Sequence, residues 1–290
     1  MRVTTQFLSD TVRRDIQARL EALARAEQQV SSGRRHERLS EDPIAGTQVL
    51  KSDAALRAIV QYRRAVGAVR ARLDSTEGVL GQVTDLLTRA QELGVAQVGS
   101  NANAQSRAAA AAEVGRLLDQ AIALGNTRIG DEFIFGGVAT QTPPFQADGT
   151  YVGTAATRQA EIAGGEVVEM VQSGQALFIT TGVMTALRGM RDSLTANDIA
   201  GIQTALGNLD GSMDGVQTRL AEVGARTREL DGALTGLDVQ SDAASAQRAD
   251  AAEIPFEEAV TNLAAVQTAL QAAILSGTRV LQTNFLEYYL

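Results

Sequence analysis

Cysteine and tryptophan are absent from this 290-residue chain, histidine occurs once and proline four times. Without cysteine there is no disulfide framework and no thiolate metal site, so the redox compartment stays open. Aromatic residues make up only 4%, too few for a thick globular core but ordinary for slender helical bundles. No uninterrupted apolar run reaches the length of about 18 residues that marks a membrane-spanning helix, which predicts no membrane partner. The opening MRVTTQFLSDTVRRDIQ lacks the apolar block of roughly 7–15 residues of a secretory signal. A cytoplasmic protein, or one leaving by a route that reads no cleavable signal, is therefore expected. Basic excess is missing too: the net charge of −8 and pI near 4.9 argue against a nucleic-acid partner.

What is present is apolar periodicity. Ile59, Tyr62, Val66, Val69, Leu73, Thr76, Leu80, Val83, Leu87 and Ala90 alternate steps of three and four. The same steps run through Ile199, Ile202, Leu206, Leu209, Met213, Val216, Leu220, Val223, Thr227, Leu230, Leu234 and Leu237. Such unbroken heptads predict long, coiled-coil-like helices packed within one chain. A shorter stripe at Ala110, Val114, Leu117, Ala121 and Leu124 makes a further helix. Gly99-Ser100-Asn101-Ala102-Asn103 reads as the turn of a helical hairpin.

Both ends of the chain carry stripes of their own. Val3, Phe7, Val12, Ile16, Leu20, Leu23 and Val30 mark the first segment; Phe256, Val260, Leu263, Leu270, Ile274, Leu281, Phe285, Tyr288 and Leu290 mark the last. A helix with one apolar stripe cannot bury it alone, so these residues are expected to form an intermolecular assembly interface. Residues 1–40 hold eight Arg against five acids, whereas 254–290 hold Arg279 against Glu257, Glu258 and Glu287. Opposite signs suit helices that pack together, although screening keeps the effect small. Between the first stripe and the heptads, the chain breaks at Ser31-Ser32-Gly33. Ser40 and Asp42 then precede Pro43 as N-cap and first helical residue. Gly33, Ser40, Asp42 and Pro43 are thus the expected hinge and helix start.

Residues 133–181 have a different texture. Phe133, Phe135, Phe145, Tyr151 and Phe178 fall here, and FIFGG, TYVGT, RQAEIA, EVVEMV and ALFIT are separated by Gly, Pro and Asp-Gly. That is the grammar of strands and turns. The expected fold is mainly α: an elongated coiled-coil-like bundle formed by both halves of the chain, with a small β-rich insert. The expected segments are an assembly helix over 1–42, half a bundle over 43–132, the insert over 133–181, the second half over 182–254, and an assembly helix over 255–290.

Chemistry finds little purchase. His36 stands among Arg34, Arg35 and Arg38 and reads as a solvated loop histidine. There is no GxxxxGK[ST], no GxGxxG after a strand and no HExxH. Gly136-Gly137 reads as a tight turn rather than a phosphate loop. The pairs Glu41-Asp42 and Glu257-Glu258 imitate a glycosidase dyad, but both sit at helix beginnings, where acids suit the dipole. No catalytic residue, metal or cofactor is expected, and an enzyme is the weakest reading.

The stretch QQVSSGRRHERLSEDPIAG (28–46) resembles the segment near the start of bacterial flagellins and their relatives, with Ser31-Ser32-Gly33-Arg34 followed by Ser40, Asp42 and Pro43. The run GNTRIGDEFIFGGVATQTPPF (125–145) resembles the hook-associated, hook–filament junction branch of that superfamily. Its Phe-Gly-Gly stands where filament flagellins usually have Thr-x-Phe-Asn-Gly. MRVTTQ, LLTRAQELGVAQ (86–97) and the terminal Leu286-Glu287-Tyr288-Tyr289-Leu290 agree, so the likeness spans essentially the whole chain. The resemblance implies an extracellular flagellar part, exported without a cleavable signal peptide. Its terminal helices would fold on assembly and form the inner tube, with the insert projecting outward. Implied partners are further copies of itself in a ring or helical array, the preceding hook-associated protein, flagellin and an export chaperone. A filament-forming flagellin and a cytoplasmic coiled-coil signalling or scaffold protein are the alternatives.

Overall fold

The computed structural model describes the backbone of residues 2–36, 38, 40–99, 101–170 and 173–289, and their side chains except at 2–6, 8 and 280–289. Helices dominate: α1 (Arg2–Ser32), α2 (Pro43–Val98), α3 (Ala104–Gly125), α4 (Val183–Thr195), α5 (Ile199–Ala252) and α6 (Phe256–Tyr289). Between α3 and α4 lie two short antiparallel hairpins, β1 (Arg128–Ile129) with β2 (Glu132–Phe133) and β3 (Gln159–Ala163) with β4 (Glu166–Glu169). The chain forms two compact units, one from residues 1–58 and 240–290, the other from 59–239.

The 59–239 unit is built on heptads. Val66, Val69, Leu80, Val83 and Leu87 of α2 and Ile202, Leu209, Val216, Val223 and Leu230 of α5 are completely buried. Ile199, in the first turn of α5, is instead exposed. Polar pairs fix the antiparallel register: Arg63 with Asp238 and Arg70 with Asp231, both at 2.6 Å, and Gln91 with Asp210. Each step forward along α2 is matched by an equal step back along α5, in whole heptads. The α2–α3 hairpin closes where predicted. Asn103 accepts the Ser106 N–H at 2.8 Å, while the Ser106 hydroxyl faces the Asn103 N–H at 3.0 Å in a reciprocal cap.

The insert folds around side chains of the 125–145 run. Asn126 grips Phe145 from both sides, donating to its carbonyl and accepting from its N–H, each at 2.9 Å. Gly125 is where the Phe145 ring lies, since a Cβ there would come within 2.6 Å of the ring. Phe135 meets Phe178 edge-on at 5.4 Å, and Phe178 meets Phe145 at 5.3 Å. Gly137 adopts φ +67, and a Cβ would sit 2.1 Å from the Thr154 carbonyl. The Phe-Gly-Gly motif therefore serves packing. At its base the insert is tied to α2 by Arg72 and Arg158 sharing Glu132, and to α5 by Arg226 on Glu169 at 2.8 Å.

Strand content is lower than the texture suggests. RQAEIA and EVVEMV supply β3 and β4, but TYVGT contributes a single bridge between Phe145 and Tyr151. ALFIT is a π-helical turn over Gln175–Ile179, with the Thr180 N–H on the Gln175 carbonyl at 2.9 Å. The adjacent Leu177 and Phe178 are both fully buried, which a strand of alternating faces cannot accomplish from one side.

Candidate functional site

The unit made from residues 1–58 and 240–290 brings the two chain ends together. Helices α1 and α6 pack along each other, running antiparallel, because Asn262 donates to Gln29 at 3.3 Å while Gly277 faces Val12 and Ile16. A Cβ at Gly277 would lie 2.6 Å from Val12 Cγ1, so the missing side chain allows this approach. The seam is lined by Ala26, Ala259 and Gly277, which are buried, and by Val12, Ile16, Leu23, Val30, Leu263 and Leu270, which are half-buried.

The remaining apolar residues of the two stripes face outward. Phe7 is 66% exposed, Leu20 49%, Phe256 70%, Val260 40% and Ile274 44%, joined by Leu275 at 63%. The structure thus divides the predicted interface set into an intrachain seam and an uncovered face. The side chains of Val3, Leu281, Phe285 and Tyr288, and Leu290 as a whole, lie outside the described residues.

Between α1 and α2 the chain turns through a short linker. Gly33 has the left-handed φ +66 that favours glycine, and Ser40 sits exposed in the turn before α2. Asp42 accepts the N–H groups of Ile44 at 2.9 Å and Ala45 at 3.0 Å, capping the helix that Pro43 opens. The bond from Ala45, helped by that from Ile44 and by His36, holds its carboxyl below the ordinary value. His36 lies between two acids, 3.9 Å from Glu41 and 3.8 Å from Asp42. A cleft of about 930 Å³ opens beside it, lined among others by Arg25, Gln29, Arg35, Glu257 and Asn262. Glu258, half of one apparent acid dyad, is 3.8 Å from Arg35. Among the described residues no group of three or more His, Cys, Asp and Glu could hold a metal ion.

Helix α6 is more apolar on average than its interrupted runs suggest. Phe256–Arg279 reaches a mean hydropathy of 1.2, long and apolar enough to cross a membrane by length and composition alone. Alanine-rich sequence raises the average without an unbroken apolar run. Asn262, Gln267, Gln271 and Ser276 interrupt the stretch, and its seam face already has a helical partner on the same chain.

Gly277 and Gln29 escaped the sequence reading. Gly277 could have been found: it occupies the step between Ile274 and Leu281 where the repeat asks for an apolar side chain. Gln29 carried no such signal, because a polar residue beside a stripe reads as solvated surface.

Residues 3–140 match the family of the bacterial flagellin N-terminal helical region. Over 309 residues the chain is 29% identical to flagellar hook-associated protein 3 of Escherichia coli strain K12, covering 96% of each. It is 25% identical over 308 residues to flagellar hook-associated protein 3 of Salmonella typhimurium, again covering 96% of each. The crystal structure of Bacillus cereus FlgL superposes with a TM-score of 0.61 at 25% identity, covering 68% of this chain and 98% of that one.

Proposed function

We propose that this chain is a member of the bacterial flagellin superfamily and the structural adaptor at the hook–filament junction of a bacterial flagellum. The observation that carries this reading is the uncovered apolar face of the α1–α6 pair. Phe7, Leu20, Phe256, Val260 and Ile274 project from helices already paired with each other, so a further partner must cover them. Each such side chain contributes about 1.5–3 kcal/mol when fully buried. Several together supply enough to drive docking against the cost of ordering the ends.

In this reading the assembly segments run over 1–42 and 255–290, with Val3, Leu281, Phe285, Tyr288 and Leu290 extending the same interface. Gly33, Ser40, Asp42 and Pro43 form the hinge and helix start behind them. Copies of the chain pack side by side in a ring or helical array. One side meets the preceding hook-associated protein and the other receives the first flagellin subunits. Before that, an export chaperone shields α6, and the chain leaves the cell without a cleavable signal to reside in the flagellum. Its work is assembly rather than catalysis.

Electron microscopy of cells lacking the gene, with the medium blotted for flagellin, tests the reading. Bare hooks with flagellin lost to the medium are expected. Disappearance of the filament protein itself, with junctions still in place, would make this chain a filament flagellin. Intact filaments would overturn the adaptor role.

A further inference from the structure

Arg107 is 6% exposed, the one charged side chain among the buried described residues. It stands one step before Ala110 in the α3 stripe, where the repeat asks for an apolar side chain. Its partners are neutral oxygens. Nε donates to the Gln97 carbonyl at 3.1 Å and Nη1 to the Asn197 side-chain oxygen at 2.7 Å. None of the ion pairs among the described residues includes it. The neighbouring Asp198 carboxylate lies instead over Gly201, where a Cβ would come within 2.6 Å of it. A buried charge without a counter-ion is costly, and two helix ends offset it. Helix α2 stops at Val98 and α4 at Thr195, and a helix C-terminus carries about half a negative charge. The Gln97 carbonyl belongs to the last turn of α2, where no helical N–H remains for it. Asn197 follows α4 at φ +55, the one non-glycine residue of positive φ among those described.

We propose that Arg107 is the key that sets how the two halves of the chain meet at this end of the 59–239 unit. From α3 its guanidinium holds the end of α2 and the bend after α4, which lies 90 residues further along the chain. An apolar side chain at 107 would be buried equally well and would accept the two hairpins at more than one offset. A planar fork with fixed donor directions accepts one. The role is specificity, like that of a single polar residue that sets register in an apolar helical seam. It concerns the body of the free chain, requires no order in the chain ends, and is independent of the junction reading.

The chain has no cysteine, so spin labels on Asn101→Cys and Ala196→Cys, both exposed positions, report the separation of the two turns in the full chain. With Arg107 in place, pulsed electron spin resonance should give one narrow distance. That distance should hold from low to molar salt, because a buried contact is little screened. Arg107→Met, apolar and of similar length, is expected to keep the helical circular dichroism and to split or broaden the distance. A single narrow distance retained in Arg107→Met would overturn the proposal, as would a split at molar salt with Arg107 present. Should Arg107→Met fail to fold, Asn197→Gly decides the matter, since glycine keeps the left-handed bend and removes only the acceptor. A split distance in that variant supports the key, and an unchanged one sinks it.

Discussion

Leu80 and Leu87 in α2 and Leu209 and Leu230 in α5 are completely buried, while Leu20 in α1 and Ile274 in α6, set by the same three-and-four spacing, are half exposed. The spacing says that a helix needs company; it does not say how much. Side chains of α2 and α5 share one core with α3, α4 and the insert, so their stripes are covered from several sides. Helices α1 and α6 have each other, and along their seam only Ala26, Ala259 and Gly277 are buried outright, while Val12, Ile16, Leu23, Val30, Leu263 and Leu270 are half-covered. A single helix partner covers one side of each stripe and removes less apolar area from water than a shared core, leaving Phe7, Leu20, Phe256 and Ile274 outside.

The comparison breaks most sharply under truncation of its buried side. Leu80→Ala should cost about 2–5 kcal/mol, read as a lowered denaturant midpoint. Leu20→Glu should change stability by no more than about 0.5 kcal/mol, yet abolish incorporation into flagella. Equal destabilisation by the two would erase the distinction. Gly277→Leu comes next: forced into Val12, it should loosen the α1–α6 seam by about 1–3 kcal/mol. Amide exchange in the middle of α1 and α6 reads the loosening, and adding Val12→Ala should restore part of the protection. The smallest effect belongs to Asp42. Its folded-state pKa lies below the ordinary 3.8, so its contribution is present above that value and fades as pH falls through the lower, folded one. Protection of the Ile44 and Ala45 amides, taken relative to their intrinsic exchange rate at each pH, should fall with acid in the native chain. With Asp42→Asn, a cap that does not titrate in this range, that fall should disappear.

Where the sequence carried long repeats, the fold was legible. The α2 and α5 heptads, the end of α1 at Ser32, the Asp42 cap and the hairpin turn all follow from side-chain spacing and capping chemistry. Short apolar runs were harder. ALFIT reads as a strand because a brief buried segment has no period of its own, and the core around Phe145 decided for a π-helical turn. At the candidate site, the two stripes were legible as a need for burial. Their division into seam and outer face was not, because it depends on how α1 and α6 rotate about their axes. Gly277 admits the Val12 side chain to the seam by its lack of a Cβ, and an absence leaves no mark in a list of apolar residues.

The polar pairs along α2 and α5 have a consequence for alignment. An apolar heptad seam is degenerate: sliding one helix by seven residues sets leucine against leucine again. Slid one way, Arg63 would face Ser245 and Gln91 would face Gln217, with only Arg70 meeting an acid, Asp238. Slid the other way, Arg63 would meet Asp231, while Arg70 would face Gly224 and Gln91 would face Gln203. A single alignment satisfies all three positions. Each contact is exposed and weak by itself, but together they act as a vernier, discriminating between settings that the hydrophobic seam cannot tell apart.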